Sequence, residues 1–368
     1  MFEDKHITMK EVAREAGVSR AAVSLVINKK HRQARISERT AMNIQTVLNK
    51  SGYTPNAFAS SLRRQKSRTI GIVIGDSLYP NEIETIQVMI ANIRKRDYHV
   101  FLSLLEKGSN QWEFTLKSLR GQKVEGIIVS SSCVPLGDWE ENSKHIKGIP
   151  SVILTMPEDS NLGKVSYVST NRLVGAYTAV QHLINLGHKR IAFLCGPVET
   201  FRYPNSQMKT EGYIKALADA GIPYDENLLA HCAANYHGGQ QAIERILNLK
   251  PRPTAIFAIS DILAIGAIRG IHENGLHVPD DIAVVGFDNI EASAYAEKPL
   301  TTVEQPSYEL GTNGIDLLFD FIEGREKNIR EILIPPRLVI RESCGANLKY
   351  FTGLNLAEKE VRLEGSVL

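Results

Sequence analysis

Arg20 directly follows a serine at what reads as the start of a helix. A guanidinium held there can fork onto the O6 and N7 atoms of a guanine, or it can grip a phosphate. Ala21, beside it, is the second candidate reader of a base edge. Ser19, Ser24, Asn28, Lys29 and Lys30 are types that fasten a polyanion backbone without reading sequence. Leu25 lies among them and suits a thymine methyl group or no contact at all. Far along the chain, Asp288 ends an apolar, buried-type strand, and an acceptor-only carboxylate suits the hydroxyls or amines of a polyol or purine. The alternative for Asp288 is a helix cap. Ser260 and Asp261 open a predicted helix and add polar groups. His182 and His188 are six apart, which does not put two ligands on one helical face, and the four cysteines form no paired motif. There is no Ser/His/Asp order, phosphate loop or paired-carboxylate signature, and Gly238-Gly239 is too little for a phosphate cradle. No metal, cofactor or catalysis is expected.

The elements that must present Arg20 are legible. Thr8 and Glu11 have the spacing of a capping box, and Val12 and Ala16 follow with helical period. Gly17 ends that helix, and Ser19 caps a second over about 20–28. Two short helices around a Gly-Val-Ser turn are the arithmetic of a helix-turn-helix. A third helix runs from after Ser37 to Ser51-Gly52, with Ala41, Ile44, Val47 and Leu48 inward. Charge divides along the same line. The 368 residues carry a net +2, yet residues 1–68 hold 14 Lys and Arg against 5 Asp and Glu. A basic head on an acidic body points the head at a polyanion.

Ile7 to Ser19, Ala22-Val23-Ser24, Val26-Ile27-Asn28 and Gly52-Tyr53-Thr54-Pro55-Asn56-Ala57 together resemble the opening of lactose/galactose repressor family proteins. The resemblance implies a DNA-binding regulator, with Thr8, Ser19, Arg20, Ala21, Ser24, Leu25, Asn28, Lys29 and Lys30 at the DNA. It also implies a hinge helix over 54–68, whose Asn56, Ala57 and Ala59 approach the minor groove while Leu62 wedges into the central base step. Leu25 departs from the family, where a polar reader is frequent, so a relative's operator sequence does not transfer. The segment from Lys30 to Arg35 is about three residues longer than in the lactose repressor.

From Thr69, apolar runs at 70–74, 100–104, 126–129, 152–154, 191–195, 255–259 and 282–285 alternate with amphipathic stretches at 81–96, 172–186, 207–220, 238–249 and 261–273. That alternation predicts doubly wound parallel α/β sheets, and some 275 residues predict two lobes. The expected whole is a small all-α helix-turn-helix head (1–53), a hinge (54–68) and a two-lobed α/β periplasmic-binding-protein-like body (69–345). One lobe is expected over about 69–168 and 306–334, the other over 169–304 and 336–345, and residues 346–368 form a tail. The resemblance continues through His182–Ala192, Val278–Asp288 and Pro299–Val303. It implies an effector between the lobes, met by Asp76, Tyr79, Asn81, Glu82, Thr155, Lys209, Tyr236, Ser260, Asp261 and Asp288. The lining departs from the family. Lys209 stands where Arg is usual, Thr155 where Asp is common, and Ala234 where a ring often stacks, with Tyr236 a compensating candidate. A point-charge Lys loses the bidentate fork of Arg.

The tail lacks a sustained heptad, so a homodimer is expected rather than a zippered tetramer. With no long apolar run and no secretory leader, no membrane partner and a cytoplasmic location are expected. Two alternatives stand beside the small-molecule-controlled repressor. One is a catabolite-control-type regulator with a phosphoprotein co-effector; the other is a soluble sugar-binding protein.

Overall fold

The computed structural model describes residues 7–28, 30–53, 66–75, 80–105, 111–130, 139–155, 165–198, 204–346 and 360–362. It divides into a head, Met1–Ser67, and a body, Arg68–Leu368.

The head is three helices, α1 (Met9–Glu15), α2 (Arg20–Ile27) and α3 (Glu38–Ser51). Each starts on a hydroxyl cap: Thr8 accepts from the Glu11 amide, Ser19 from Ala22 and Ser37 from Thr40. At α1 the capping box is complete, with the Glu11 carboxylate taking the Thr8 amide at 2.7 Å. Gly17 (φ +66°) supplies the left-handed residue that turns the chain between α1 and α2. Val12, Val23, Ile44, Val47 and Leu48 form the shared core.

The body contains, in order, β1 (Thr69–Gly75), α4 (Pro80–Lys95), β2 (His99–Leu105), α5 (Gln111–Gly121), β3 (Gly126–Ser130), α6 (Trp139–Asn142), β4 (Ser151–Leu154), β5 (Ser166–Thr170), α7 (Arg172–Asn185), β6 (Ile191–Leu194), α8 (Pro204–Asp219), β7 (Leu229–Ala230), α9 (Tyr236–Leu247), β8 (Ala255–Ala258), α10 (Asp261–Glu273), β9 (Ala283–Asp288), α11 (Glu291–Ala294), β10 (Thr301–Glu304), α12 (Ser307–Ile322), β11 (Glu331–Ile334), β12 (Arg337–Val339) and β13 (Glu360–Arg362). They build two sheets. The first, in order β11-β5-β4-β3-β1-β2, is wholly parallel. The second, β13-β12-β10-β9-β8-β6-β7, is parallel from β10 to β7 and closes with two antiparallel edge strands. The chain passes from first sheet to second after β5, returns after β10, and passes back after β11. Residues 360–362 of the expected tail pair with β12.

Strands covered on both faces read as unbroken apolar runs, as β1 (TIGIVIG) does. β5 and β10 were missed because serine and threonine interrupt their buried apolar residues. Ser166, Ser169, Thr170, Thr301 and Thr302 are all buried. The Ser166 hydroxyl accepts the Arg330 amide, and that of Thr301 accepts the Arg341 amide, so tertiary hydrogen bonds offset the desolvation that alternation cannot reveal. Glycine allows one close approach in the second lobe. A Cβ on Gly266 of α10 would collide with the Tyr236 backbone carbonyl of α9.

Candidate functional site

In the head, Arg20 and Ala21 are exposed at the N-terminal end of α2, while Ser24 and Leu25 are half-buried. Two expected backbone-fasteners have local duties. The Ser19 hydroxyl caps α2, 3.2 Å from the Ala22 amide, and the Asn28 side-chain amide donates to the Ser24 carbonyl at 2.6 Å. Thr8 is occupied by its capping box, and Lys30 is exposed. Lys29, Asn56, Ala57, Ala59 and Leu62 lie outside the described residues, as do Asp76 and Tyr79 of the body.

The body's charged cluster forms where strands of both sheets end. Asp288 closes β9 in a left-handed conformation, φ +122°, followed by Asn289 at +52°. Two successive non-glycine residues of this kind are costly and persist only where neighbours fix them. The neighbours are specific. The Asn289 amide donates to the Thr302 hydroxyl, the Ile290 amide donates to an Asp261 carboxylate oxygen at 2.9 Å, and the Arg341 guanidinium donates to the Asn289 side-chain oxygen at 2.8 Å. The turn thrusts the Asp288 carboxylate towards Lys209, whose Nζ lies 3.7 Å away. The same Nζ donates to the Ile259 carbonyl at 2.8 Å and sits 3.8 Å from the centre of the Phe287 ring. Gln305, on the crossover after β10, donates to Asp288 at 2.6 Å.

Arg172, the first residue of α7, extends this cluster into the other lobe. One guanidinium nitrogen faces the Thr155 carbonyl at the end of β4 and the Ser169 hydroxyl of β5; the other faces the Gln305 side-chain oxygen, each at 3.3 Å. Glu82 of α4 adds its negative field. A single polar chain therefore runs from β4 and β5 through Arg172 and Gln305 to Asp288 and Lys209. Burial dominates its electrostatics. Desolvation lowers Lys209 to about 8 against the attraction of Asp288, and lowers Arg172 to about 10. Desolvation also raises Asp288, opposed by Lys209.

Asp261 departs from expectation. It has no exposed surface, and its two oxygens are taken by the Ile290 amide and the Thr302 hydroxyl. Burial, then the nearby Asp288, push its carboxyl up to about 7. Gly286 opposite has no side chain because a Cβ would strike that carboxylate. Asp261, with no exposed surface, therefore braces the turn carrying Asp288. Ser260 caps α10, accepting from the Leu263 amide at 3.4 Å. Tyr236 starts α9 and is exposed, and Thr155 holds φ +61° at the end of β4. Asn81 and Glu82 open the first lobe's α4, and the Asn81 side-chain oxygen is buried without a partner among the described residues. Arg172 and Gln305 were not anticipated. A lone Arg at the start of an amphipathic helix reads as surface charge, and only the meeting of two lobes buries it.

His182 faces the Cys344 sulfur at 3.3 Å, whereas His188 faces the Thr254 hydroxyl at 3.0 Å, so the two rings do not converge. Among the described residues no His, Cys, Asp and Glu group has metal-holding geometry, and no helix is long and apolar enough to cross a membrane.

Comparison with known proteins matches most of the chain. Residues 8–56 match the model of bacterial regulatory proteins of the lacI family, and residues 180–344 match a periplasmic binding protein-like domain. The HTH-type transcriptional repressor PurR of Mannheimia succiniciproducens is 32% identical over 343 residues, covering 91% of this chain and 98% of the relative. Catabolite control protein A of Priestia megaterium is 31% identical, over 92% and 99%. A lac repressor dimer solved with operator and the anti-inducer ONPF superposes with a TM-score of 0.81 at 26% identity, over 92% of this chain and 99% of that one.

Proposed function

The chain belongs to the lacI family of bacterial regulatory proteins, DNA-binding transcription regulators rather than enzymes, and on that premise we propose that it represses transcription as a homodimer on a pseudo-palindromic operator, under control of a small polar effector between its lobes. The observation that carries the DNA half is the free N-terminal end of α2. Arg20 and Ala21 project from a helix whose opposite face is locked into a three-helix core, which is how a recognition helix is presented to the major groove. The effector half rests on the Arg172–Gln305–Asp288–Lys209 chain, lying at carboxyl ends of strands, where open α/β sheets take ligands. A carboxylate and two cations that already satisfy one another favour a hydroxyl-rich ligand able to both donate and accept, such as a sugar.

The homodimer reading draws on the rim of the first sheet. Edge strand β2 exposes Leu102 and Leu104 on one side, and α5 exposes Phe114 at 74%. Apolar side chains of this size in water favour a covering partner. A regulator acting on operator DNA would work in the cytoplasm. The similarity to a catabolite control protein keeps a second reading, in which a phosphoprotein acts as co-effector.

The test is a thermal-shift panel of sugars, sugar phosphates, nucleobases and polyols on the full chain, repeated with Lys209→Met. A ligand at a hundredfold its Kd stabilises by about 2.7 kcal/mol. The proposal expects a sugar-type hit that Lys209→Met abolishes. A hit that survives Lys209→Met at full strength places the effector elsewhere.

A further inference from the structure

Residues 30–36, between α2 and α3, are held by their own backbone. Beyond α2 the Lys30 amide donates to the Leu25 carbonyl at 2.8 Å. The amides of Ala34, Arg35 and Ile36 then donate to the carbonyls of Lys30, Arg32 and His31 at 3.1, 3.2 and 3.0 Å. Ser37 begins α3 immediately afterwards. Four main-chain bonds across seven residues therefore fix this connection.

Its surface is basic. Lys30, Arg32, Gln33, Ala34 and Arg35 are all exposed. The acidic neighbour is Glu38, which takes the Arg32 side chain at 3.0 Å and faces His31 at 4.0 Å. Among the described residues no carboxylate pairs with Lys30 or Arg35. Arg35 also stands at φ +55°, in the left-handed region that glycine or asparagine enters at lower cost. Asp97 and Lys123 adopt the same conformation in the turns after α4 and α5, so what distinguishes Arg35 is an exposed guanidinium with no carboxylate partner among the described residues.

The position of the turn says what that work is. A recognition helix enters the major groove by its N-terminal end. The eight residues of α2 span about 12 Å at 1.5 Å per residue, which is close to the width of that groove. The residues just past its C-terminal end thus arrive at the sugar–phosphate strand bordering the groove. We propose that the turn Lys30–Arg35 is a preformed clamp for the duplex phosphate backbone, with Arg35 and Lys30 as its donors and Arg32 held back by Glu38. The inference rests on the DNA-binding reading and adds a contact that raises affinity for every sequence alike, because phosphates carry no base identity. A backbone already fixed leaves only side-chain freedom to be lost on binding.

The test needs no operator. Full-length protein is titrated by fluorescence anisotropy into a labelled duplex of arbitrary mixed sequence across a range of KCl concentrations. Each phosphate contact adds about 0.9 to the slope of log K against log salt. Arg35→Gly should reduce that slope by about 0.9 per bound protomer and weaken binding several-fold at the lowest salt. Because glycine relieves the left-handed strain, its melting temperature should equal or exceed the parent's. Adding Lys30→Gln should roughly double the loss of slope, and Gln33→Ala should change nothing. An Arg35→Gly variant with the parent's slope and affinity would overturn the clamp, as would one that loses affinity while melting lower. If the parent itself fails to bind the duplex at low salt, the DNA-binding reading falls and takes this inference with it. Parental binding with an unaltered slope in the variants removes the clamp alone.

Discussion

Replacing Asp288 with asparagine keeps the side chain's volume and its bond from Gln305 while removing the charge that faces Lys209. The Lys209 Nζ is then left with the Ile259 carbonyl at 2.8 Å and the Phe287 ring at 3.8 Å, and with no carboxylate within ion-pair distance among the described residues. One-sided removal of a buried pair costs about 3–5 kcal/mol. The surviving carbonyl and ring contacts hold the expected loss near the lower end, about 3 kcal/mol. The loss should depend on pH in a definite sense. Lys209 already titrates near 8, and without Asp288 its folded value falls further. The unfolded chain's Lys retains its ordinary high value, so the variant regains stability as pH rises, because the folded state no longer has to bury a cation. Urea titrations of full-length parent and variant at pH 6.5 and 9 read both effects. A deficit below about 1 kcal/mol, or one unchanged between those pH values, would refute the reasoning that Asp288 compensates a buried charge.

Three further outcomes are expected, two from the same geometry and the third from the family resemblance. Because Asp261 is raised to about 7, folding holds its proton between the ordinary carboxylate range and 7. Parent stability relative to Asp261→Asn should therefore fall by up to about 1.4 kcal/mol per pH unit through that window and level off above it, as read by denaturation at several pH values; a flat difference sinks the assignment. Gly266→Ala should destabilise the second lobe by more than 2 kcal/mol, roughly, through collision with the Tyr236 carbonyl, and an unchanged melting curve would show that α9 and α10 can part. Leu62→Ala should weaken operator binding far more than non-specific binding in anisotropy titrations, and equal losses on both would dismiss a wedge role.

The head was legible because its signals are local. Thr8, Ser19 and Ser37 each cap the helix they precede, and Gly17 and Gly52 hold the left-handed turns that end two of them. Strands buried on both faces were equally plain, whereas β5 and β10 hid behind buried hydroxyls, of which those of Ser166, Thr301 and Thr302 pair with residues far along the chain. At the body site, Asp288 and Lys209 were anticipated through the family resemblance, and the structure brings their charges to 3.7 Å. Arg172 and Gln305 carried no signal, since residues from α7 and from the crossover after β10 meet only when the two lobes are assembled. Asp261 shows a second, structural duty that the sequence does not announce. A polar residue opening a helix near the cleft suggests a ligand contact, but an absent Cβ at Gly286 gives its carboxylate room to turn inward and hold the Ile290 amide.

The central claim, that α2 reads a symmetric DNA site, is tested most directly by enriching random duplexes on the full-length chain and measuring affinity at a stated salt concentration. The account predicts an inverted repeat bound at least about a thousandfold more tightly than random duplex, with Arg20→Ala relaxing the choice at one position in each half-site. Enrichment of no sequence above the random pool, or of one that Arg20→Ala leaves unchanged in both affinity and preference, would contradict it.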